Sequence, residues 1–237
     1  MDDFERYSDY NEIDEPPKKN IAGLVIKIAI FALCAVVTLL MIVRVMMFSY
    51  YPDSMKKVYF NDTLTAYYNA NDGKIGAKTQ DLRAPYDDAD KGNFFADNLI
   101  IIEGAGQIQF SLRLNTSIVD TIKKDFGADV EVGADTFTFE LYRDPRIDGD
   151  ENSPVVPEKI GELAYCGYDS FAMYRYYKLV FDNVDLEAGL DTAVEWLRVE
   201  ISINGVKMDK PYMIAIYENH EAYSKLNDYN LSRSERP

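Results

Sequence analysis

The chain has 237 residues, with 25 basic and 40 acidic side chains and a formal charge of −15. Past Phe48 the balance is 20 basic to 33 acidic. That excess excludes the clustered Lys and Arg on which nucleic-acid binding depends, and it disfavours adhesion to an anionic membrane surface. Two cysteines, Cys34 and Cys166, exclude a disulfide framework, and a single histidine, His220, bounds the acid–base and metal chemistry.

Residues 1–20 are acidic, contain Tyr7 and Tyr10, and end in Pro16-Pro17-Lys18-Lys19. With no apolar periodicity to build a core, they are read as a disordered tail. Ile21 to Phe48 follows, 28 residues interrupted only by Lys27 and Arg44. A bilayer core of about 30 Å takes roughly 20 helical residues, so residues 21–48 are expected to form a transmembrane helix. Lys27 and Arg44 are 17 residues apart, roughly 25 Å along a helix, so each can snorkel to an interface. A cleaved secretory signal would have a short basic start and a small-residue cleavage site. The long acidic start and the absence of an Ala-x-Ala motif favour an uncleaved signal-anchor. Cys34 lies mid-run, not after a lipoprotein cleavage site, and is expected to be an inert helix residue.

Orientation follows from size. Lys18, Lys19 and Lys27 face Arg44, Lys56 and Lys57, a near tie in positive-inside terms. The tail has 20 residues and the portion beyond Phe48 has 189. The expectation is a cell-membrane, single-pass protein with its N-terminus in the cytoplasm and its large domain outside.

Residues 49–97 are expected to be a membrane-proximal stalk, partly docked through Val58-Tyr59-Phe60 and Leu64 to Tyr68, with turns at Asn71-Asp72-Gly73 and Tyr86 to Gly92. From 98 to 237 the pattern is that of strands. Leu99 to Ile102 is a continuous apolar run. Gln107 to Leu114 alternates, with Ile108, Phe110, Leu112 and Leu114 inward and Gln109, Ser111 and Arg113 outward. Phe137, Phe139 and Leu141 oppose Thr138 and Glu140; Tyr177, Leu179 and Phe181 oppose Tyr176 and Lys178. Leu197, Val199, Ile201 and Ile203 oppose Arg198, Glu200 and Ser202, and Asn204-Gly205 then predicts a hairpin with Tyr212 to Tyr217 returning. Glu162 to Cys166 is a weaker strand. Helices are expected at Thr116 to Phe126, ending on Gly127, and at Leu186 to Val194. The fold class is therefore mainly β: one N-terminal transmembrane helix, then an antiparallel β-sandwich of immunoglobulin- or fibronectin-like architecture with one or two short helices.

Catalytic signatures are missing. His220 has no oriented nucleophile, no Gly-x-Ser-x-Gly elbow occurs, and Leu163-Ala164-Tyr165-Cys166-Gly167 matches no thiol-nucleophile motif. One His and one Cys outside the span make no zinc site. Gly104-Ala105-Gly106 lacks the Lys-Ser/Thr of a phosphate loop and reads as a turn. Asp148, Asp150 and Asn152 begin like a calcium-binding hand loop, but Ser153 and Lys159 stand where Gly and Glu belong. The Asp144 to Asn152 stretch is read as a solvated loop, with Asp87, Asp88 and Asp90 a weaker cluster of the same kind. Asn61-Asp62-Thr63, Asn115-Thr116-Ser117 and Asn230-Leu231-Ser232 are glycosylation sequons. No cofactor and no metal is expected.

What remains is aromatic. Tyr165, Tyr168, Phe171, Tyr174, Tyr176 and Tyr177 crowd one segment. Outward tyrosines supply rigid amphipathic contact area, so Tyr168, Tyr174 and Tyr176 are the candidate binding residues. The expected function is a membrane-anchored, non-enzymatic, extracytoplasmic interaction module for another protein or a cell-envelope glycan. The alternatives are an accessory subunit of a larger membrane assembly and a cell-envelope hydrolase.

Overall fold

The structure is a computed structural model and describes residues 21–82, 94–115, 124, 132–144, 156–185, 195–208, 211–216 and 227–230. The chain divides into two compact units between Tyr50 and Tyr51. The first holds α1 (Ile21–Ser49), whose 29 residues extend about 43 Å at the helical rise. Among the described residues it is the one helix long and apolar enough to cross a membrane. Its Ile, Leu, Val and Met side chains are exposed on every side. Thr38 donates its hydroxyl to the Cys34 carbonyl at 2.9 Å, so the one hydroxyl in mid-helix is satisfied internally.

The second unit is mainly β. It opens with α2 (Asp53–Lys56) and α3 (Asp62–Ala70), followed by β1 (Gly76–Gln80), β2 (Phe94–Ala96), β3 (Leu99–Ile102) and β4 (Gln107–Asn115). Then come β5 (Phe137–Asp144), β6 (Glu158–Lys159), β7 (Glu162–Phe171) and β8 (Tyr174–Asp182). The last are β9 (Glu195–Ile203), β10 (Val206–Lys207), β11 (Tyr212–Ile216) and β12 (Asn227–Asn230). All pairings are antiparallel. The first sheet runs β12-β1-β3-β4-β8-β7 with β2 also on β4, and the second runs β10-β9-β5-β6 with β11 also on β9.

Local chemistry accounts for the joints. β2 and β3 are two pieces of one edge against β4: Ala96 pairs with Leu112 and Ile100 with Gln109, four residues on one strand against three on the other. The extra residue makes a bulge at Asp97-Asn98, bridged by Asp97 N–H donating to the Ser111 carbonyl at 2.9 Å. Asn204 and Gly205 take φ of +50° and +79°, the conformation a two-residue hairpin demands, and close β9 onto β10. The returning arm is therefore split, β10 first and β11 after it on the same edge of β9. Gly104-Ala105-Gly106 is the expected turn, a 3-10 turn that joins β3 to β4.

One apolar core lies between the sheets. Phe110, Leu112, Leu179 and Phe181 of the first sheet and Phe137, Phe139, Leu141, Leu197, Val199 and Ile201 of the second share it. The Phe137 ring meets Tyr177 edge-on at 5.4 Å across that gap. These are the residues whose alternation predicted inward faces.

The stretch expected as a stalk is part of this same unit. β1 pairs with β3 and β12, and β2 with β4, so no boundary falls at residue 97. The second departure from expectation concerns faces: Gln109, Ser111, Arg113, Tyr176 and Lys178, expected on the outward face, are all buried. The helices expected at Thr116 to Phe126 and Leu186 to Val194 lie outside the described residues, Lys124 apart.

Candidate functional site

The outer face of the first sheet is covered by residues 51–70, and the cover has two chemistries. Over β1 and β3 it is apolar: Val58 and Leu64 bury against Ile75, Ala77, Ile100 and Ile102, with Phe60, Tyr67 and Tyr68 packed around them. Asn61 starts α3 as its cap, its side-chain oxygen accepting from Leu64 N–H at 3.0 Å. Over β4 and β8 the cover is polar, because strand alternation places Gln107, Gln109, Ser111 and Arg113 there beside Tyr176, Lys178 and Asp182. Each of these polar positions is buried.

Here residues 51–63 act as a strap held chiefly by its main chain. The Gln109 amide reads both groups of Tyr59, accepting from its N–H at 2.8 Å and donating to its carbonyl at 2.7 Å. Ser111 donates its hydroxyl to the Met55 carbonyl at 2.7 Å, and Lys178 Nζ lies 3.4 Å from the same oxygen. Tyr51 donates its phenol to the Ser111 carbonyl at 3.2 Å. At the far end Asp182 accepts from Asn61, Thr63 and Gln107 at 2.7–2.8 Å. The strap thus runs along β4 from the Arg113 level to the Gln107 level. A Gln side chain bonded to both backbone groups of one residue is peptide recognition, with the peptide supplied by the chain itself.

Burial sets the electrostatics. Lys178 is 2% exposed, and desolvation pushes its ammonium down to about 8, with the nearby Asp97 charge opposing that fall. Desolvation holds the Tyr51 phenol well above its ordinary range, and Tyr212 is pushed up to about 12 for the same reason. The Arg113 guanidinium is caged by rings, 4.9 Å from the Tyr174 centroid, 5.4 Å from Phe95 and 5.9 Å from Tyr51. Tyr51 in turn meets Tyr176 edge-on at 4.9 Å.

The expected binding face is therefore not a free surface. Tyr174 and Tyr176 are buried beneath the strap's beginning, and of the three candidates only Tyr168 is part-exposed. Tyr168 donates to the Val132 carbonyl at 3.3 Å and packs on Tyr177 at 5.3 Å. Tyr165, half-buried, stacks flat on Tyr59 of the strap at 3.6 Å. Cys166 sits where desolvation raises its thiol to about 11, which suppresses the thiolate. His220, the Asp87-Asp88-Asp90 cluster and the Asp148–Asn152 loop lie outside the described residues. Among the described residues no three His, Cys, Asp or Glu side chains gather as a metal site. The Asn61 sequon is occupied by structure, since its amide nitrogen donates to Asp182 and its oxygen caps α3.

Sequence reasoning missed Gln109, Tyr59, Asn61 and Asp182 as a set. The available signals were Asn61 immediately before Asp62-Thr63-Leu64, which is cap chemistry, and the unbroken Leu179-Val180-Phe181 run, which marks a strand buried on both faces. No family model matches this chain, and neither a curated protein nor a solved structure is significantly similar to it.

Proposed function

We propose that the chain is a single-pass membrane protein, N-terminus in the cytoplasm, that displays its second unit outside the cytoplasm as a non-enzymatic binding module. Its architecture in this reading is a β-sandwich of immunoglobulin- or fibronectin-like type, supported by two antiparallel sheets around one shared core. The strap is the observation that carries the proposal. One residue, Tyr50, separates the last helical residue, Ser49, from the buried Tyr51, and the following residues are bonded down the length of β4. Residues 51–63 are therefore part of the second unit's own structure and not a separate stalk. The partner class is another protein or a cell-envelope glycan.

A second reading, an accessory subunit, draws on α1 being apolar on all sides, a surface open to other spans as well as lipid. Mild cross-linking of the full-length protein in its own membrane, followed by mass spectrometry of the joined peptides, separates the two. Cross-links from the second unit to an external partner support the module, while cross-links confined to the span favour the subunit. Protease added to intact cells is expected to remove the second unit and spare residues 1–20. Turnover of a cell-envelope glycan or peptide by the purified protein would sink the non-enzymatic reading.

A further inference from the structure

The two ends of the first sheet differ in character. At the end away from Tyr51, exposed Glu103, Glu162 and Asp185 mark the β3–β4 turn, the start of β7 and the exit of β8. At the Tyr51 end three large apolar side chains are exposed beside Asp53, Lys56 and Ser170. Phe95 is 39% exposed, Phe171 37% and Met173 45%. Register places them together. Phe95, Arg113, Tyr176 and Asp169 form one row across β2, β4, β8 and β7, and Phe171 pairs with Tyr174 opposite Asn115, two residues further out. The β7–β8 turn thus projects about 7 Å beyond the Arg113 row, in the direction opposite to that taken by the strap. Ala172 holds this turn at φ +51°, a conformation unfavourable for a residue with a Cβ. The Arg175 guanidinium donates to the Ala172 and Tyr174 carbonyls at 3.2 and 3.1 Å and stiffens the tip.

Among the described residues, charge at this corner is nearly balanced. Arg113 is caged by rings, and Asp169 accepts from the Ser54 hydroxyl at 3.0 Å and from Ser170 N–H at 2.7 Å. Exposed Asp53 lies beside Lys56. Among the described residues, Phe95, Phe171 and Met173 thus form an apolar cluster at the end of the sheet where Tyr51 lies. Two Cα–Cα steps, at most about 7 Å, join Ser49 to Tyr51 through Tyr50. Each interfacial layer of a bilayer is itself about 5–8 Å deep.

We propose that the corner formed by Phe95, Phe171 and Met173 inserts into the interfacial layer of the bilayer that α1 crosses. The inference rests on the span reading above. The ligand is a lipid surface met through aromatic and thioether side chains at the headgroup–acyl boundary, without an anionic-lipid requirement.

The test uses full-length protein in phosphatidylcholine vesicles brominated near the headgroup end of the acyl chain. F171W and M173W probe the corner, L163W the opposite end and V45W the outer part of α1, each read as added emission over the parent with its single Trp196. Quenching and a blue shift for F171W and M173W comparable to V45W, with L163W unaffected, is the expected result. Quenching of V45W alone overturns the corner and leaves the span standing. Equal quenching of L163W overturns the end-specific contact. An unquenched V45W removes the span reading and this inference with it.

Discussion

The outer faces of the two sheets carry the same kind of sequence and meet different fates. On the second sheet, Thr138, Glu140, Arg198 and Ser202 alternate with core residues and reach solvent to varying degrees; Lys159 pairs with Glu140 at 2.6 Å, and Lys207 with Glu200. On the first sheet, Gln107, Gln109, Ser111 and Lys178 alternate just as regularly and are buried. The difference is a second layer supplied by residues 51–70. Alternation reports which side chains face the core between the sheets. It is silent on whether another segment will cover the reverse face, and buried amides tolerate cover only because the strap offers them carbonyls and N–H groups.

Five substitutions and one titration, read by denaturant unfolding of the full-length protein in detergent, sharpen this contrast. Phe110→Ala on the shared inner face is the reference and should cost about 3–5 kcal/mol. Gln109→Ala, on the strapped face, should cost about 2–3 kcal/mol because it strips partners from both backbone groups of Tyr59. A loss as small as that of a surface residue would mean the strap is not docked in solution.

The titration comes next. Lys178 is at about 8 in the folded chain and near 10.4 unfolded, so between these values the unfolded state binds more protons and stability rises with pH, by on the order of 2 kcal/mol. Tyr51, Tyr177 and Tyr212 are all raised by burial. Above their ordinary value of about 10 the unfolded chain ionises first and stability falls. Cys166, raised to about 11 from an ordinary value near 8.5, opposes the Lys178 rise over most of the same range, so a broad maximum between about pH 8.5 and 10 is expected, and Lys178→Met should abolish the rising limb while keeping the falling one. Asn61→Ala, which removes the α3 cap and a donor to Asp182, should cost about 1–2 kcal/mol. Thr138→Ala on the open face of the second sheet should stay within about 0.5 kcal/mol. If Thr138→Ala cost as much as Gln109→Ala, the two faces would not differ as the structure has them.

Much of this was legible beforehand. Lipid-length apolarity identified α1, and period-two patterns located β4, β5, β8 and β9 together with their inward residues. Asn204-Gly205 located a turn because few residue pairs accept two positive φ values. β1, β2 and β12 left weak traces, since Gly76-Ala77-Lys78-Thr79-Gln80 and Asn227-Asp228-Tyr229-Asn230 have little of the β-branched bulk that marks a strand. Tyr174 and Tyr176, expected on an exposed face, are buried for a different reason. On the outer face of β8, Tyr176 meets Tyr51 of the strap and Tyr174 packs on the Arg113 guanidinium.

Sequence by itself determined the apolar helix, the β class and the inner core, because burial on one known side imposes a period that a single chain displays. Only tertiary structure decided that residues 51–63 lie on β4, that Gln109 reads Tyr59, and that Phe95 and Phe171 share a corner. Gln109 and Tyr59 are 50 positions apart and meet through hydrogen bonds, while Phe95 and Phe171 are brought to one corner by register passed across β4 and β8. Glutamine, serine and lysine look alike in a sequence whether they face water or another strand's worth of backbone.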